Sequence, residues 1–391
     1  MARSSGAADP LENALVLLGD LISFPTLTDD PNLDLISCAE AILVGVGADV
    51  SLTYDEGGTR ANLFATIGPA ADGGVILSGH TDVVPAEEDT WTGSPFVAAR
   101  RDGRVYGRGA VDMKGFLACA LAMAPRFATA ELRAPVHVAL TFGEEIGCQG
   151  APLLLADLAE RGPKPKAAIV GEPTSMRIVH GHKGCYEYTT SVTGLEGHGS
   201  RPSQAVNAVE VAVRYIARLL EVGEELAERA PSDSRYEPAG TTISVGTING
   251  GTARNVVPGA CSFEWELRPV RRADAEHVRA TMTAFEGDLL RGMRARHPEA
   301  TIATTAAGEV DGLEIRDDSA AVALVRRLLD EPEIAVASFG TEAGLYQQAG
   351  IPAVVCGPGS IDLAHRPDEY VSFEQLGRCL DMMERLAAEL S

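Results

Sequence analysis

Val75-Ile-Leu-Ser-Gly-His80-Thr-Asp82-Val-Val-Pro85 begins as a short apolar run of strand character and ends on a histidine, an aspartate and a proline. The same design recurs twice. Val136-His-Val-Ala-Leu-Thr-Phe142 runs into Gly143-Glu144-Glu145, and Ala167-Ala-Ile-Val170 stops at Gly171-Glu172-Pro173-Thr174. Short apolar runs bounded by glycine and proline read as buried strands. In an open α/β sheet, ligands bind in the crevice beyond the carboxyl ends of the strands. Three such ends would therefore aim a histidine and several carboxylates at one place, which predicts an α/β fold with its chemistry at that edge.

Composition limits what that chemistry serves. The chain has 391 residues, 45% of them apolar and 23% charged, which suits a globular protein of about two domains. A formal charge of −22 disfavours nucleic acid, whose phosphates need a basic surface, and favours approach of a cationic small molecule. Solubility alone also accounts for a charged surface of this kind. No run of about 18 apolar residues is present, and residues 1–10 lack the apolar segment of a secretory signal, so a cytoplasmic protein is expected, with those ten residues frayed. The seven cysteines are irregularly spaced without a Cys-x-x-Cys pair, which predicts neither a disulfide framework nor a thiolate metal site. Cys148 and Cys356 lie beside site segments, but packing is the expected role for both.

Helical and strand patterns alternate through residues 1–182, starting with a helix over Leu11–Ser23 that Pro25 ends. From residue 183 to 308 the order becomes strand, helix, strand, strand, helix, strand, with helices near 205–230 and 273–296, an inserted α+β unit. The α/β pattern resumes over 309–391, returning the chain to the first core.

The site residues follow from their settings. A ligating imidazole needs a carboxylate or carbonyl on its other nitrogen, so His80 reads as a metal ligand and Asp82 as its support. Asp112 sits in the tight Gly107-Arg-Gly-Ala-Val-Asp-Met-Lys-Gly115, where a carboxylate can bridge two ions 3.5–4 Å apart. The bland alternative is a helix N-cap. Glu144 and Glu145 must project differently, which allows Glu145 to ligate while Glu144 accepts a proton. Glu172 adds a further carboxylate.

These motifs, with Ala364-His-Arg-Pro-Asp-Glu-Tyr370, resemble the co-catalytic zinc peptidase and deacylase family over residues 75–371 in the expected order. That family includes acetylornithine deacetylase, succinyl-diaminopimelate desuccinylase, aminoacylase and glutamate carboxypeptidase. Val179-His-Gly-His-Lys-Gly184, Gly147-Cys-Gln-Gly150 and Gly340-Thr341-Glu342-Ala-Gly344 are most similar to its acetylornithine deacetylase branch. The resemblance implies a zinc-peptidase-like catalytic domain with a central mixed sheet flanked by helices, and an inserted lid through which a homodimer forms. It implies two zinc ions, one on His80 and Glu172, the other on Glu145 and His365, with Asp112 bridging; cobalt or manganese suits the same ligands. His365 enters as a ligand only through this match.

The resemblance further implies that Glu144 is the general acid/base, that Asp82 supports His80, and that His198 stabilises the oxyanion across the dimer. Gly199 follows His198 where many relatives carry serine, which predicts a looser loop. Asn255 and Arg268 match positions that contact substrate, and a guanidinium suits a carboxylate; the alternative for Arg268 is a strand-end salt bridge. Gly340, Thr341 and Glu342 form the substrate-side loop, with Glu342 facing a side-chain ammonium or capping a helix. The expected activity is hydrolysis of N2-acetyl-L-ornithine to acetate and L-ornithine, a step of arginine biosynthesis. Other N-acyl amino acids such as succinyl-diaminopimelate or acetylcitrulline, dipeptides, and a non-catalytic metal- or amino-acid-binding protein are the alternatives.

Overall fold

The computed structural model describes residues 9–330 and 332–391, so the expected fraying of residues 1–10 falls almost wholly outside it. The described chain forms two compact units, one of residues up to 181 with 315–335 and 341–391, the other of 182–314 with 336–340.

An eight-stranded mixed sheet runs through the first unit. Its strands lie in the order Asp49–Tyr54, Ala61–Ile67, Val136–Thr141, Val75–His80, Ala167–Pro173, Ala353–Gly357, Ile178–His182, Ile334–Ala337. The central four, Val136–Thr141 to Ala353–Gly357, are mutually parallel. Strands covered on both faces should be apolar throughout, and Val136–Thr141, Val75–His80, Ala167–Pro173 and Ala353–Gly357 are buried at every position. Their carboxyl ends consequently share one edge, where Gly143 turns the chain at φ 65°, with one residue between it and Val136–Thr141.

Two helices show how local sequence sets the layers. Pro10–Ile22 starts one residue earlier than the sequence suggests, because Asp9 accepts a hydrogen bond from the Leu11 N–H and proline fits the first turn, which needs no N–H donor there. Gly115–Thr129 is apolar nearly all round, and all residues from Gly115 to Ala124 are buried. Such a helix belongs inside a fold rather than on its surface.

The second unit is a four-stranded antiparallel sheet, Thr242–Gly250, Ala260–Arg268, Cys185–Thr193, Thr301–Val310, with helices Ala208–Glu228 and Arg272–Arg294. Alternation decides its buried face: Tyr186, Tyr188 and Val192 are buried whereas Glu187 and Ser191 are exposed. Phe263, Trp265, Tyr215 and Leu219 complete this second core, with Tyr188 stacked on Trp265 at 4.3 Å.

His137, inside the first sheet, makes the stability of this protein depend on pH. Its ring stacks on Phe64 at 5.1 Å and its Nδ1 lies 3.0 Å from Thr66 Oγ1. Burial disfavours the imidazolium and pushes its pKa down to about 4. Between its ordinary value of about 6.5 and about 4, the unfolded chain binds a proton that the folded chain refuses. The contribution is therefore present in full above pH 6.5 and lost as pH falls to 4, about 3 kcal/mol in all. Urea unfolding of a His137→Gln variant should show a shallower loss of stability over this window, by close to one proton; an unchanged slope rejects the assignment.

Candidate metal centre

The four parallel strand ends deliver the site. His80 is the last residue of its strand, Glu172 lies near the end of the next, and Glu144 and Glu145 follow the Gly143 turn. A side chain at Gly171 would collide with the Phe116 ring, so glycine is what lets the Glu172 strand pass that helix. The fourth strand, Ala353–Gly357, leads to His365, which holds a left-handed backbone at φ 60°. This conformation is costly for a residue other than glycine and is concentrated at functional positions. The sequence carries this fourth strand as the apolar run Ala353-Val-Val-Cys356 before Gly357, too far from His365 to mark it as a ligand.

Asp112 joins the two halves. One oxygen, Oδ1, lies 3.1 Å from His80 Nε2, and the other, Oδ2, lies 3.3 Å from His365 Nε2. Glu172 Oε1 stands 3.6 Å from His80 Nε2, and both Glu145 oxygens are 3.1 Å from His365 Nε2. The result is two clusters of potential ligand atoms, His80/Asp112/Glu172 and Asp112/Glu145/His365, sharing Asp112. The N-cap alternative for Asp112 is corrected by its position: Lys114, two residues further on, holds the cap position of the helix that starts at Gly115.

Asp82 supports more than His80. Its backbone oxygen lies 2.9 Å from His80 Nδ1, while its two carboxylate oxygens accept from the Glu144 and Glu145 backbone N–H groups at 3.1 Å each. One aspartate thus fixes the imidazole ring and the peptide that presents both glutamates. Glu144 belongs to neither cluster; its Oε2 is 4.0 Å from His80 Nε2 and its other oxygen accepts from the Cys148 thiol at 3.8 Å.

The electrostatics of this arrangement call for cations. Burial, with the surrounding carboxylates, pushes the Glu144 and Glu172 carboxyls well above the ordinary range. Asp112 is equally buried, yet hydrogen bonds from His365 and His80 hold it low. Hydrogen bonds to Asp112 and to Glu145, and their charges, raise His365 to about 10. Glu172 Oε1, buried, has no hydrogen-bond partner among the described residues. Unpartnered buried oxygen, clustered carboxylates and two imidazoles, one of them oriented through its second nitrogen by Asp82 O, form a donor set that fits two divalent ions of the zinc, cobalt or manganese type.

The remaining sequence-predicted residues have distinct settings. Within the second unit, His198 is exposed, and its Nδ1 accepts from the Ser200 N–H at 3.1 Å. The Gly199 N–H donates to Asn255 O at 2.8 Å, and a Cβ there would lie 2.7 Å from that oxygen, an approach that suits glycine. Asn255 is exposed, and Arg268 makes a two-pronged ion pair with Glu266 at 3.3 and 3.0 Å, the strand-end salt bridge of the alternative reading. Gly340 lies against Cys185 in the same unit. In the first unit, Thr341 and Glu342 are buried. Thr341 Oγ1 accepts the Ala343 N–H at 3.0 Å; Glu342 holds the cap position of Ala343–Gln348, as the helix-cap reading has it, but its side chain makes no cap bond. Its carboxyl accepts from Ser78 Oγ at 3.4 Å, and burial pushes it up to about 7.

Sequence reasoning assigned no role to Glu369 or Arg108. Glu369 accepts from Arg108 Nη1 at 2.7 Å and from the backbone N–H groups of Val111 and Asp112.

Comparison with known proteins agrees with this geometry. The profile of Peptidase family M20/M25/M40 matches residues 76–389. The chain belongs to this family. Among its relatives, a protein named acetylornithine deacetylase of Myxococcus xanthus is 36% identical, covering 97% of this chain and 98% of its own, and one of the same name from Proteus mirabilis (strain HI4320) is 32% identical, covering 96% of each. Similar solved structures include the M20 family metallo-carboxypeptidase Sso-CP2 from Sulfolobus solfataricus, with TM-score 0.76, 18% identity and coverage of 96% and 98%. Another is the Bacillus subtilis YXEP protein, described as a dinuclear metal binding peptidase, with TM-score 0.67, 16% identity and coverage of 97% and 98%. The chain is accordingly a hydrolase of this family, with the family's α/β fold and candidate metal-holding groups, and metal-dependent amide hydrolysis is the activity supported. Among the described residues, no helix is long and apolar enough to cross a membrane.

Proposed function

We propose that the chain hydrolyses the amide bond of N2-acetyl-L-ornithine, giving acetate and L-ornithine, on a two-zinc centre. The observation that carries the reading is Asp112, whose two oxygens face two different histidines in two ligand clusters beside Glu144. The names of the relatives at 32–36% identity support the substrate. His80 and Glu172 would hold one ion, Glu145 and His365 the other, and Asp112 both. The ions would supply Lewis acidity, making water nucleophilic near neutral pH and polarising the amide carbonyl.

The chain's own groups do the rest. Glu144, set by the Asp82 grip on its backbone, takes the proton of the attacking water and returns it to the departing α-amine. As the resemblance implies, His198 of the partner subunit donates to the oxyanion, and Arg268 holds the α-carboxylate. The net charge of −22 favours a substrate carrying a side-chain ammonium over acetylcitrulline, which lacks one.

Steady-state hydrolysis by zinc-reconstituted protein tests this, with N2-acetyl-L-ornithine beside acetylcitrulline, acetylmethionine and succinyl-diaminopimelate. The expected result is a preference for acetylornithine that chelator abolishes and zinc restores. Preference for another acyl substrate overturns the substrate assignment and keeps the metal chemistry; turnover that chelator leaves intact overturns both.

We further propose that two copies pair through the second unit. Its edge strand Thr242–Gly250 exposes Ile248, and the helix Ala208–Glu228 exposes Val213 and Leu220. Unpaired strand edges and exposed apolar side chains favour association. Sedimentation equilibrium should give a dimer that Ile248→Asp with Leu220→Asp weakens, and a monomeric wild-type protein rejects the pairing.

A further inference from the structure

We infer that Arg108 and Glu369 are positioning residues that set the shared ligand Asp112 between the two ion sites. The inference rests on the two-ion reading above, but concerns residues outside both ligand clusters. Arg108 is 3% exposed and Glu369 1% exposed, so neither is an ordinary surface charge. Their side-chain hydrogen bonds join the segments that carry the candidate ligands. Glu369 Oε2 accepts from Arg108 Nη1 at 2.7 Å, and Oε1 accepts from the Val111 and Asp112 N–H groups at 2.9 and 3.2 Å. Arg108 Nη2 donates to Pro85 O at 3.2 Å, and its guanidinium lies over the Trp91 ring at 5.1 Å. The Glu369 backbone oxygen also accepts from Gly107 N–H at 3.0 Å.

The segments so tied are His80 to Pro85, Gly107 to Gly115, and His365 to Tyr370, which bear His80, Asp112 and His365. Asp112 needs an external clamp. Its dihedrals are those of neither helix nor strand pairing within its own loop, and its N–H bonds to Glu369 rather than to a helical carbonyl. That bond orients the peptide from which one side-chain oxygen reaches His80 and the other His365. Stability alone is a weak reason to bury this pair, since well-packed apolar residues of similar volume often serve a fold as well or better than a buried ion pair. Holding one carboxylate midway between two cations requires directional bonds, which apolar packing does not provide.

The experiment separates position from stability. Apo protein is titrated calorimetrically with Zn2+ and, as an optical probe, with Co2+, for wild type, Glu369→Gln, Arg108→Lys and the apolar double variant Arg108→Met/Glu369→Leu; melting temperatures of the apo forms are recorded beside kcat and KM. Wild type should bind two ions. Glu369→Gln and the double variant should bind the weaker ion about 10–100-fold less tightly, with an altered Co2+ absorption band and a lower kcat. Arg108→Lys, which keeps the charge beside Glu369, should recover part of that affinity. A folded double variant with wild-type affinity for both ions overturns the inference, as does a folded Glu369→Gln with wild-type affinity should the double variant fail to fold. A wild-type protein that binds fewer than two ions removes the two-ion reading itself.

Discussion

Glutamine in place of Glu144 is expected to lower turnover by about 10²–10⁴-fold, the contribution of one placed proton-transfer group, without changing how many ions the protein binds. The expectation depends on the separation of tasks within an adjacent pair of acids. Glu145 faces His365 at 3.1 Å and belongs to a ligand cluster; Glu144 belongs to none, and its closer oxygen stops 4.0 Å from His80 Nε2. Both backbones are held by the same Asp82 carboxylate, so an amide at position 144 leaves the presentation of Glu145 intact. Glutamine preserves the shape and the hydrogen-bonding reach of the side chain but cannot take a proton from water. Zinc stoichiometry by elemental analysis, beside kcat on the best substrate, reads the two consequences independently. Wild-type turnover in the fully loaded variant would falsify the role of Glu144. Loss of an ion would instead make Glu144 a ligand.

Why three of the four strand ends that lead to candidate ligands were legible, and the fourth was not, is a matter of distance along the chain. His80, Glu172 and the Glu144–Glu145 pair follow their apolar runs within a few residues, so the strand and its chemistry are read together. His365 comes eight residues after Gly357, beyond a short 3-10 turn, with its side chain half exposed; nothing local distinguishes it from a surface histidine before Arg-Pro. The helices of the second unit were legible because Ala208–Glu228 and Arg272–Arg294 repeat apolar residues at helical spacing. The two-residue pairing of Gly197–His198 with Val256–Val257 was not, since a strand that short carries no period. That pairing carries Gly199 beside Asn255, whose oxygen its N–H reaches. Arg108 and Glu369 show the deeper limit: 261 positions separate them, and each alone reads as a solvated charge. Only the strand pairing of Tyr370–Ser372 with Arg104–Tyr106 brings their segments side by side.

Removing the shared carboxylate should be the most damaging single change to the centre. Asp112→Ala is expected to abolish tight binding of both ions, whereas Glu172→Ala and His365→Ala should each weaken one. The asymmetry follows from the geometry. Asp112 contributes one oxygen to each cluster, while His80 with Glu172 and Glu145 with His365 serve one cluster apiece. Alanine at 112 also leaves Glu145 and Glu172 buried among remaining carboxylates without the group that both histidines bond, so the pocket loses its means of fixing the two imidazoles relative to each other. Loss of the ions' charge stabilisation, worth several kcal/mol, corresponds to at least about a 10³-fold fall in turnover. Competitive titration against a chromophoric chelator resolves the two binding events in each variant. One weakened and one unchanged event in Asp112→Ala, matching the pattern of Glu172→Ala, would assign Asp112 to a single ion and require another group as the bridge. Weakening of both events only in Asp112→Ala ties the two ions to one carboxylate and makes their spacing a property of the Gly107–Gly115 loop.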